Sequence, residues 1–539
     1  MAKDFVDVLL TPLKGLSLFN DSHRLKAGDL VTATNILCNP DGSFERVDCY
    51  VDFLTSTLGT GYALSIYEFE RWDGTRDIIF FYDTTLYKLD NVGTTATALI
   101  TGLSANKKIG YAAYNDYLYF GNKFDANRVL CPTFTHKIAR AAVSTANATD
   151  KATTITLYNA LATDYATHLA STTQHNQADT TNTLSDPSLA GGDAQATVDA
   201  ACNDLKAKLN AHRSQASVHP TADAYHLVEA ADGTSEATSA TLITQIKVCY
   251  NQHIGDSNVA LMNITGPSTA PTTVDSGAGS GAIGTFPHVY TFYDTINGVE
   301  SAPSPASTSL SNPHDHYMTI SAMAISTNPN VTHKRIYRTV TGGATYYRVA
   351  TITNVTTTYN DTTLDAALGA ECGTVGAGVI PATDKFLMYN DRMYMAGDIS
   401  ASYRMYHSEQ YYPWLYLPAT NFFDYDVEVT ALAKVPNGVL TFEENKFWLN
   451  AGSVPSNFSR ILVSPIVGCT NNDGFCYRGD SVIFISRYGL FYTDGGAFDN
   501  LKNLMSDDIN TQLLAKNIDS ASVVYNAARE EIRLIVASA

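Results

Sequence analysis

The residues best suited to chemistry in this chain are histidines and aspartates that recur at matched positions. His168 is followed seven residues later by His175 and then by Asp179; His212 is followed at the same spacing by His219 and then by Asp223. If each loop folds back on its helix, His168, His175 and Asp179, or His212, His219 and Asp223, converge as nitrogen and oxygen ligands of a transition metal. The helical context favours a plainer expectation. His168, His212 and His253 each stand three residues after a Tyr or Leu at the end of an amphipathic stretch. A histidine there meets the free carbonyls and the negative dipole end of its helix, while the aspartate caps the next element. On that reading the chain holds no metal and no other cofactor.

Other constellations are weaker. The sequence has no G-x-S-x-G, H-E-x-x-H or Walker-type glycine-lysine motif, and its formal G-x-G-x-x-G match, Gly279–Gly284, ends a Gly/Ser-rich stretch. Asp424, Asp426, Glu443 and Glu444 could supply the two carboxylates of a glycosidase, but acidic residues this numerous yield such pairs by chance. Tyr403, Tyr406, Tyr411, Tyr412 and Trp414 could stack on sugars; alternation along a strand and the preference of Tyr for protein contacts point instead to core or subunit-interface packing. The cysteines (Cys38, Cys49, Cys131, Cys202, Cys249, Cys372, Cys469, Cys476) are scattered, without C-x-x-C pairs or histidines at zinc spacing, and read as mostly reduced and buried. The expectation is a protein that is not an enzyme.

Composition sets the frame for these residues. A chain of 539 residues exceeds what one core usually supports, and 45% apolar residues suffice for a core in each of several domains. Charged residues make up only 16%, while Tyr occurs 32 times, the palette of β-rich proteins built for protein contacts. With 35 basic and 53 acidic residues the formal charge is −18, which argues against gripping nucleic acid through its phosphates. An acidic surface suits a conduit in which DNA slides without sticking, and it also serves plain solubility. The opening Met1–Asp7 carries charges where a signal peptide needs an apolar run, and nothing approaches the roughly 18 apolar residues of a membrane span. Synthesis in cytoplasm without membrane insertion is expected.

The elements that would position the site read as follows. Tyr111–Asn122 and Phe386–Asp398 are one device used twice: an alternating strand, an Asn-Asp turn, and a returning strand with alternate aromatic or large apolar residues. The repeat rests on Asn115, Asp116, Tyr117 and Tyr119, matched by Asn390, Asp391, Met393 and Tyr394. Looser copies lie at Ile78–Asp90, Phe442–Gly452 and Val482–Gly495, a spacing that fits four-stranded blades of a β-propeller-like body; an irregular β-sandwich is the alternative. Between the two best copies the pattern turns helical, as in Leu157–Leu169 and Val198–His212. That segment carries twelve acidic and five basic residues between Asp150 and Asp256. The predicted organisation is mainly β: residues 1–131 as N-terminal strands and first propeller blades, 145–264 as an inserted α-helical repeat domain, 265–284 as a Gly/Ser/Pro-rich linker, 285–375 as an immunoglobulin- or fibronectin-like β-sandwich, and 380–539 as the remaining blades.

Several of these segments resemble known proteins. Tyr290–Tyr293 with Asn297–Pro305, Arg335–Arg338, Tyr346–Arg348 and Tyr359–Gly369 look like the sandwich module carried by many phage tail proteins. Ser408–Trp414, Val439–Leu449 and Ile485–Gly496 resemble the propeller of tail nozzle proteins of short-tailed bacteriophages, also called tail tubular protein B, and Gly15–Leu18 and Lys26–Asn35 are similar to their first strands. The helical duplication resembles an insert seen in assorted phage structural proteins. The resemblance implies a virion tail protein in which six copies form a ring below the portal and the adaptor, or head-to-tail connector. The bore would conduct DNA without sequence-specific binding, and the outside would carry tail fibres or spikes. The rivals are a receptor- or glycan-binding propeller adhesin at a tail tip and a propeller glycosidase. The chain stops at Ile532–Ala539 in mid-strand, where nozzle proteins usually continue, so a missing blade or a truncated C-terminus is also expected.

Overall fold

The computed structural model describes residues 63–90, 96–313, 316–496, 501–504, 517–527 and 531–537, with four short strands at Gly15–Leu16, Asp29–Leu30, Ile36–Cys38 and Phe44–Arg46. Cys49, most of the opening segment compared above and the last two residues lie outside the described residues. The chain is mainly β and divides into two compact units, Gly59–Ala382 with Tyr411–Asn421, and Met1–Leu58 with Thr383–Gln410 and Phe422–Ala539.

The first of these units begins with two four-stranded antiparallel sheets. One is a meander of Ser65–Glu70, Arg76–Tyr82, Thr85–Asp90 and Ala96–Ile100. The next consists of Gly110–Tyr114, Tyr117–Gly121, Arg128–Leu130 and Val259–Leu261. Alternation puts every second side chain on one face, and Phe69, Ile79, Phe81, Leu118, Phe120, Leu130 and Val259 bury that face in a core shared by both sheets. The other unit repeats the arrangement. Lys385–Tyr389, Arg392–Ala396, Arg404–His407 and Phe422–Asp424 form one sheet. Ala431–Val435, Gly438–Phe442, Phe447–Ala451 and Ser459–Ser464 form the next, and Phe475–Arg478, Ser481–Ser486, Gly489–Thr493 and Lys502–Asn503 a third. A strand pair, Asn517–Asn526 with Glu531–Ala537, follows. Each sheet shares apolar residues with its successor: Leu387 and Tyr394 pack with Val439, Phe442 and Phe447 with Phe484, and Ile483 with Val523.

The Asn-Asp turns have the backbone that their residues suggest. Asn115 and Asp116 have φ of 49° and 64°, Asn390 and Asp391 of 50° and 57°. Positive φ at both central residues is the type I′ geometry whose twist matches a tight hairpin, and it pairs Tyr114 with Tyr117 and Tyr389 with Arg392. Tyr119, Met393 and Tyr394 are buried and Tyr117 half-buried.

The helical region departs from the expected boundaries in an instructive way. Its helices, α1 (Lys151–Leu169), α2 (Gln195–Arg213) and α3 (Glu236–Gly255), leave from the third strand of the second sheet and return as its fourth, Leu130 pairing with Val259. The inserted domain therefore ends before Val259 and does not extend to residue 264. Capping boxes at Asp150/Thr153 and Ser235/Thr238 start α1 and α3. Leu157, Leu161 and Tyr165 on α1, Val198, Leu205 and Leu209 on α2, and Leu242, Ile246 and Tyr250 on α3 recur at helical spacing and meet in one core.

The expected linker 265–284 is also corrected, since Thr272–Ala278 is a strand, paired with His316–Ser321, which in turn pairs with Tyr359–Asp361. Its polar composition reflects exposure rather than lack of structure. A second sheet has the order Val299–Glu300, His288–Asp294, His333–Arg338, Tyr347–Thr353, and Tyr290, Phe292, Ile320 and Ile336 from the two sheets share a core. Two cations are buried here. Arg338 bonds Asp361 at 3.0 Å, Asp365 at 2.6 Å and the Thr363 carbonyl at 2.7 Å, over the ring of Phe286. Lys334 has the Thr356 carbonyl at 2.8 Å, and burial lowers its pKa to about 7. Among the described residues, Cys131, Cys202, Cys249, Cys372 and Cys469 are buried and unbridged, Cys476 is half-buried and unbridged, and no helix is long and apolar enough to cross a membrane.

Two outcomes are expected. Asp391→Val forces a β-branched residue into positive φ and should cost about 1–2 kcal/mol in chemical denaturation, whereas Asp391→Gly should cost nothing. Because Lys334 takes up its proton more readily in the unfolded chain, stability of the sandwich should rise between about pH 7 and pH 10, by up to about 1.4 kcal/mol per unit. Calorimetry should show that rise in the native protein and its loss in Lys334→Met.

Candidate metal centre

All three helices of the insertion carry a histidine in their last turn, His168, His212 and His253. The loops after α1 and α2 turn back on their helices in the same way: Asp179 N–H donates to the Leu169 carbonyl at 2.8 Å and Asp223 N–H to that of Arg213 at 2.9 Å. These turns carry His175 and His219 inward. The two loops also lock together, with Asn176 N–H donating to the Val218 carbonyl at 2.7 Å and Asn176 Nδ2 to that of His219 at 3.1 Å. A sixth histidine comes from the segment before α1, where His136 N–H donates to the Asp256 carbonyl at 3.1 Å and the His136 carbonyl accepts from Asn258 N–H at 3.2 Å.

The six rings, of His136, His168, His175, His212, His219 and His253, are fully buried. Of the fifteen pairs they can form, twelve have ring centroids 4.4–5.4 Å apart. Every ring has four such neighbours. The three pairs left over, His136 with His212, His168 with His219 and His175 with His253, make no such contact. Six points that each touch four others and face one across the middle are the corners of an octahedron. Two overlapping sets, His136/His168/His219/His253 and His168/His175/His212/His219, have one ring nitrogen per residue mutually within 4.8 Å, with His168 and His219 common to both.

Hydrogen-bond partners fix which nitrogens face inward. His212 Nδ1 is 2.8 Å from Asp179 Oδ2 and His253 Nδ1 is 2.8 Å from Asp223 Oδ2. His136 Nδ1 meets the Asp256 carbonyl at 3.0 Å and His219 Nδ1 the Gln215 carbonyl at 3.1 Å. His168 Nδ1 is 3.1 Å from Gln174 Oε1, an oxygen because Gln174 Nε2 donates to the Ile138 carbonyl. Carboxylates and carbonyls only accept, so all five Nδ1 atoms carry the proton and the five Nε2 atoms present lone pairs. His168 Nε2 then lies 3.0 Å from His212 Nε2 and 3.3 Å from His253 Nε2 with no proton to share. These contacts are repulsive, not hydrogen bonds. His136 Nε2 and His219 Nε2 have no hydrogen-bond partner, and neither nitrogen of His175 closes a hydrogen bond, although the Ser171 carbonyl at the equivalent repeat position favours its protonated form.

Protonation does not relieve the crowding. Burial is the largest cause depressing all six pKa values, to about 3 at His175 and His253 and about 4 at His219. At His136, His168, His175, His219 and His253 the mutual repulsion of the rings adds to it. The carboxylates behind the rings stay ionised. Burial opposes this at Asp179, but bonds from Asn182, His212 and Thr181 outweigh it; at Asp223 the charge of His226 and bonds from His226 and His253 do the same. Each aspartate also holds a turn, Asp179 Oδ1 accepting from Thr181 and Asn182 N–H, Asp223 Oδ1 from Tyr225 and His226 N–H.

Four of the six candidates from the duplication, His168, His175, His212 and His219, thus meet in one cluster and not in two. Asp179 and Asp223 do close turns, but they also stand behind the rings and orient them. The histidines at the helix ends are neutral, so they do not serve as cations for the helix dipole. Sequence reasoning missed His136 and His253. His253 was visible as the third helix-ending histidine but lacks the trailing histidine of the repeat; His136 belongs to no local pattern.

The four carboxylates singled out in the sequence all have cationic or hydrogen-bonding partners. Asp424 is clamped by Arg404 at 2.6 and 2.8 Å, Asp426 pairs with Lys446, buried Glu443 takes Lys446 at 3.4 Å and Trp448 Nε1 at 3.1 Å, and Glu444 pairs with Arg487. Of the aromatic candidates, Tyr406 is buried against Asp398, Trp414 packs on the sandwich core with the Tyr412 ring edge-on to it at 5.8 Å, and Tyr403, Tyr411 and Tyr412 are exposed.

Asp223→Ala should destabilise the insertion by about 3–5 kcal/mol, because it strands two buried imidazole N–H groups and opens a turn. The helical unfolding transition followed by circular dichroism measures this, and a loss below about 1 kcal/mol would contradict the orienting role. The sequence matches no protein-family model and no curated protein.

Proposed function

We propose that the chain is a structural, non-enzymatic subunit of a phage tail nozzle or tail tube, acting in a closed ring of six copies below the portal and adaptor. The single observation that supports this best is the run of four-stranded meander sheets, each sharing a core with its successor within its unit. Sheets stacked in this order are read here as blades of a β-propeller interrupted by the helical insertion and by an immunoglobulin- or fibronectin-like sandwich. The resemblance of Ser408–Trp414, Val439–Leu449 and Ile485–Gly496 to nozzle propellers supports the same reading, as does a charge of −18, which keeps DNA from adhering to a bore. Edge strands of such blades need neighbours, and ring partners supply them. Tail fibres or spikes and the adaptor are the further partners, with the virion tail as the location.

Exposed Tyr411 and Tyr412 favour a second reading, a glycan-binding adhesin at a tail tip. Electron microscopy of the purified protein, alone and with a portal–adaptor complex, should show six-fold rings. A protein that stays monomeric at high concentration and does not join that complex would overturn the nozzle reading, and binding on a glycan array in the same preparation would favour the adhesin.

A further inference from the structure

The six-histidine cluster is an arrangement that protein groups alone leave unsatisfied. Five imidazoles point bare Nε2 lone pairs at a common centre, and a sixth ring has no hydrogen bond at either nitrogen. Buried polar atoms are nearly always partnered, because each unpaired one costs about 1–3 kcal/mol. A native fold that aims so many acceptors at one point needs a shared electrophile there. Protons cannot fill that role for the whole set, since each added charge would be buried beside the others.

We propose that His136, His168, His175, His212, His219 and His253 together bind one divalent first-row transition-metal ion in octahedral coordination. Metal–imidazole bonds of about 2.1 Å place neighbouring nitrogens of an octahedron about 3.0 Å apart and opposite ones about 4.2 Å apart. His168 Nε2 lies 3.0 Å from His212 Nε2 and 3.3 Å from His253 Nε2, and the His168 and His219 nitrogens, opposite in the contact pattern, fall within 4.8 Å. The ring contacts supply the connectivity of the remaining corners. Behind the ligands, Asp179 and Asp223 offset the ion's charge and fix His212 and His253 in the Nδ1–H form, the usual support for a metal-bound histidine.

The ligand set also selects the ion. Magnesium and calcium require oxygen donors, zinc in structural sites prefers four ligands, and copper(II) favours tetragonal geometry. Iron(II), cobalt(II) and nickel(II) accept six imidazoles. With six protein nitrogens no position is left for water or substrate, so the ion is structural. It ties the ends of three helices to His136, next to the strand from which the insertion departs.

The test uses untagged full-length protein. Elemental analysis after gel filtration should find about one transition-metal ion per chain. After unfolding in chelator and refolding, cobalt(II) should bind at one equivalent with the weak visible absorption of a six-coordinate ion. His175→Leu is the informative variant, because it breaks no hydrogen bond. A packing role predicts unchanged or higher stability; a ligand role predicts at least about a 100-fold loss of cobalt affinity and a lower melting temperature of the metal-loaded protein. His316→Gln, in the sandwich, should leave metal content unchanged. Absence of metal from the purified protein together with no cobalt uptake would overturn the proposal, as would intense tetrahedral-type absorption or unchanged affinity in both His175→Leu and His219→Gln.

Discussion

A single constraint organises the first unit: the fourth strand of its second sheet reaches its place only after the whole helical insertion. Cys131 N–H donates to the Asn258 carbonyl at 2.8 Å, so the chain must leave and return at adjacent points. Closing a loop of that length costs on the order of 4 kcal/mol in chain entropy, which the three-residue strand Val259–Leu261 can scarcely offset by itself. The compensation lies in the insertion. Its helices pack through one core and direct their C-terminal turns to the same spot, where His136 and Asp256 join the outgoing and returning segments. The sheet and the bundle are thereby coupled, each completing the other.

The duplication explains how an arrangement near octahedral symmetry can arise from an ordinary chain. Each copy contributes a helix-ending histidine and a second one from its loop, and each copy's aspartate orients the histidine of the following helix, Asp179 that of α2 and Asp223 that of α3. No copy of the repeat precedes the first helix, and Gln174 from its own loop orients His168. The third has no second histidine, and His136 takes the vacant corner. Two copies and their flanks supply six rings where two copies alone would give four.

This also shows which parts were legible in sequence. Asn-Asp turns could be read because both residues tolerate positive φ, and the helices because Leu, Tyr and Val recur at their period without an internal proline. The matched histidines were visible as a repeat; their meeting was not, since it depends on the backward turns after Leu169 and Arg213 and on Asn176 bridging the loops. His136 could not be found by local pattern at all, being brought in by the sheet. Polar Thr272–Ala278 looked like linker because its pairing partner lies some forty residues on, at His316–Ser321. Local composition reports exposure, and strand pairing at such separation leaves little local trace.

The way the insertion joins its sheet has an evolutionary consequence. Leu130 and Val259 face each other as neighbours in the ladder, so everything between them occupies, topologically, the position of a hairpin turn. Such a junction lets a lineage gain, lose or exchange the bundle as a cassette without altering the register of the sheet that carries it. Because the histidine cage draws all its ligands from within that stretch, it would travel with the cassette intact, free to recur on scaffolds that share nothing else with this one.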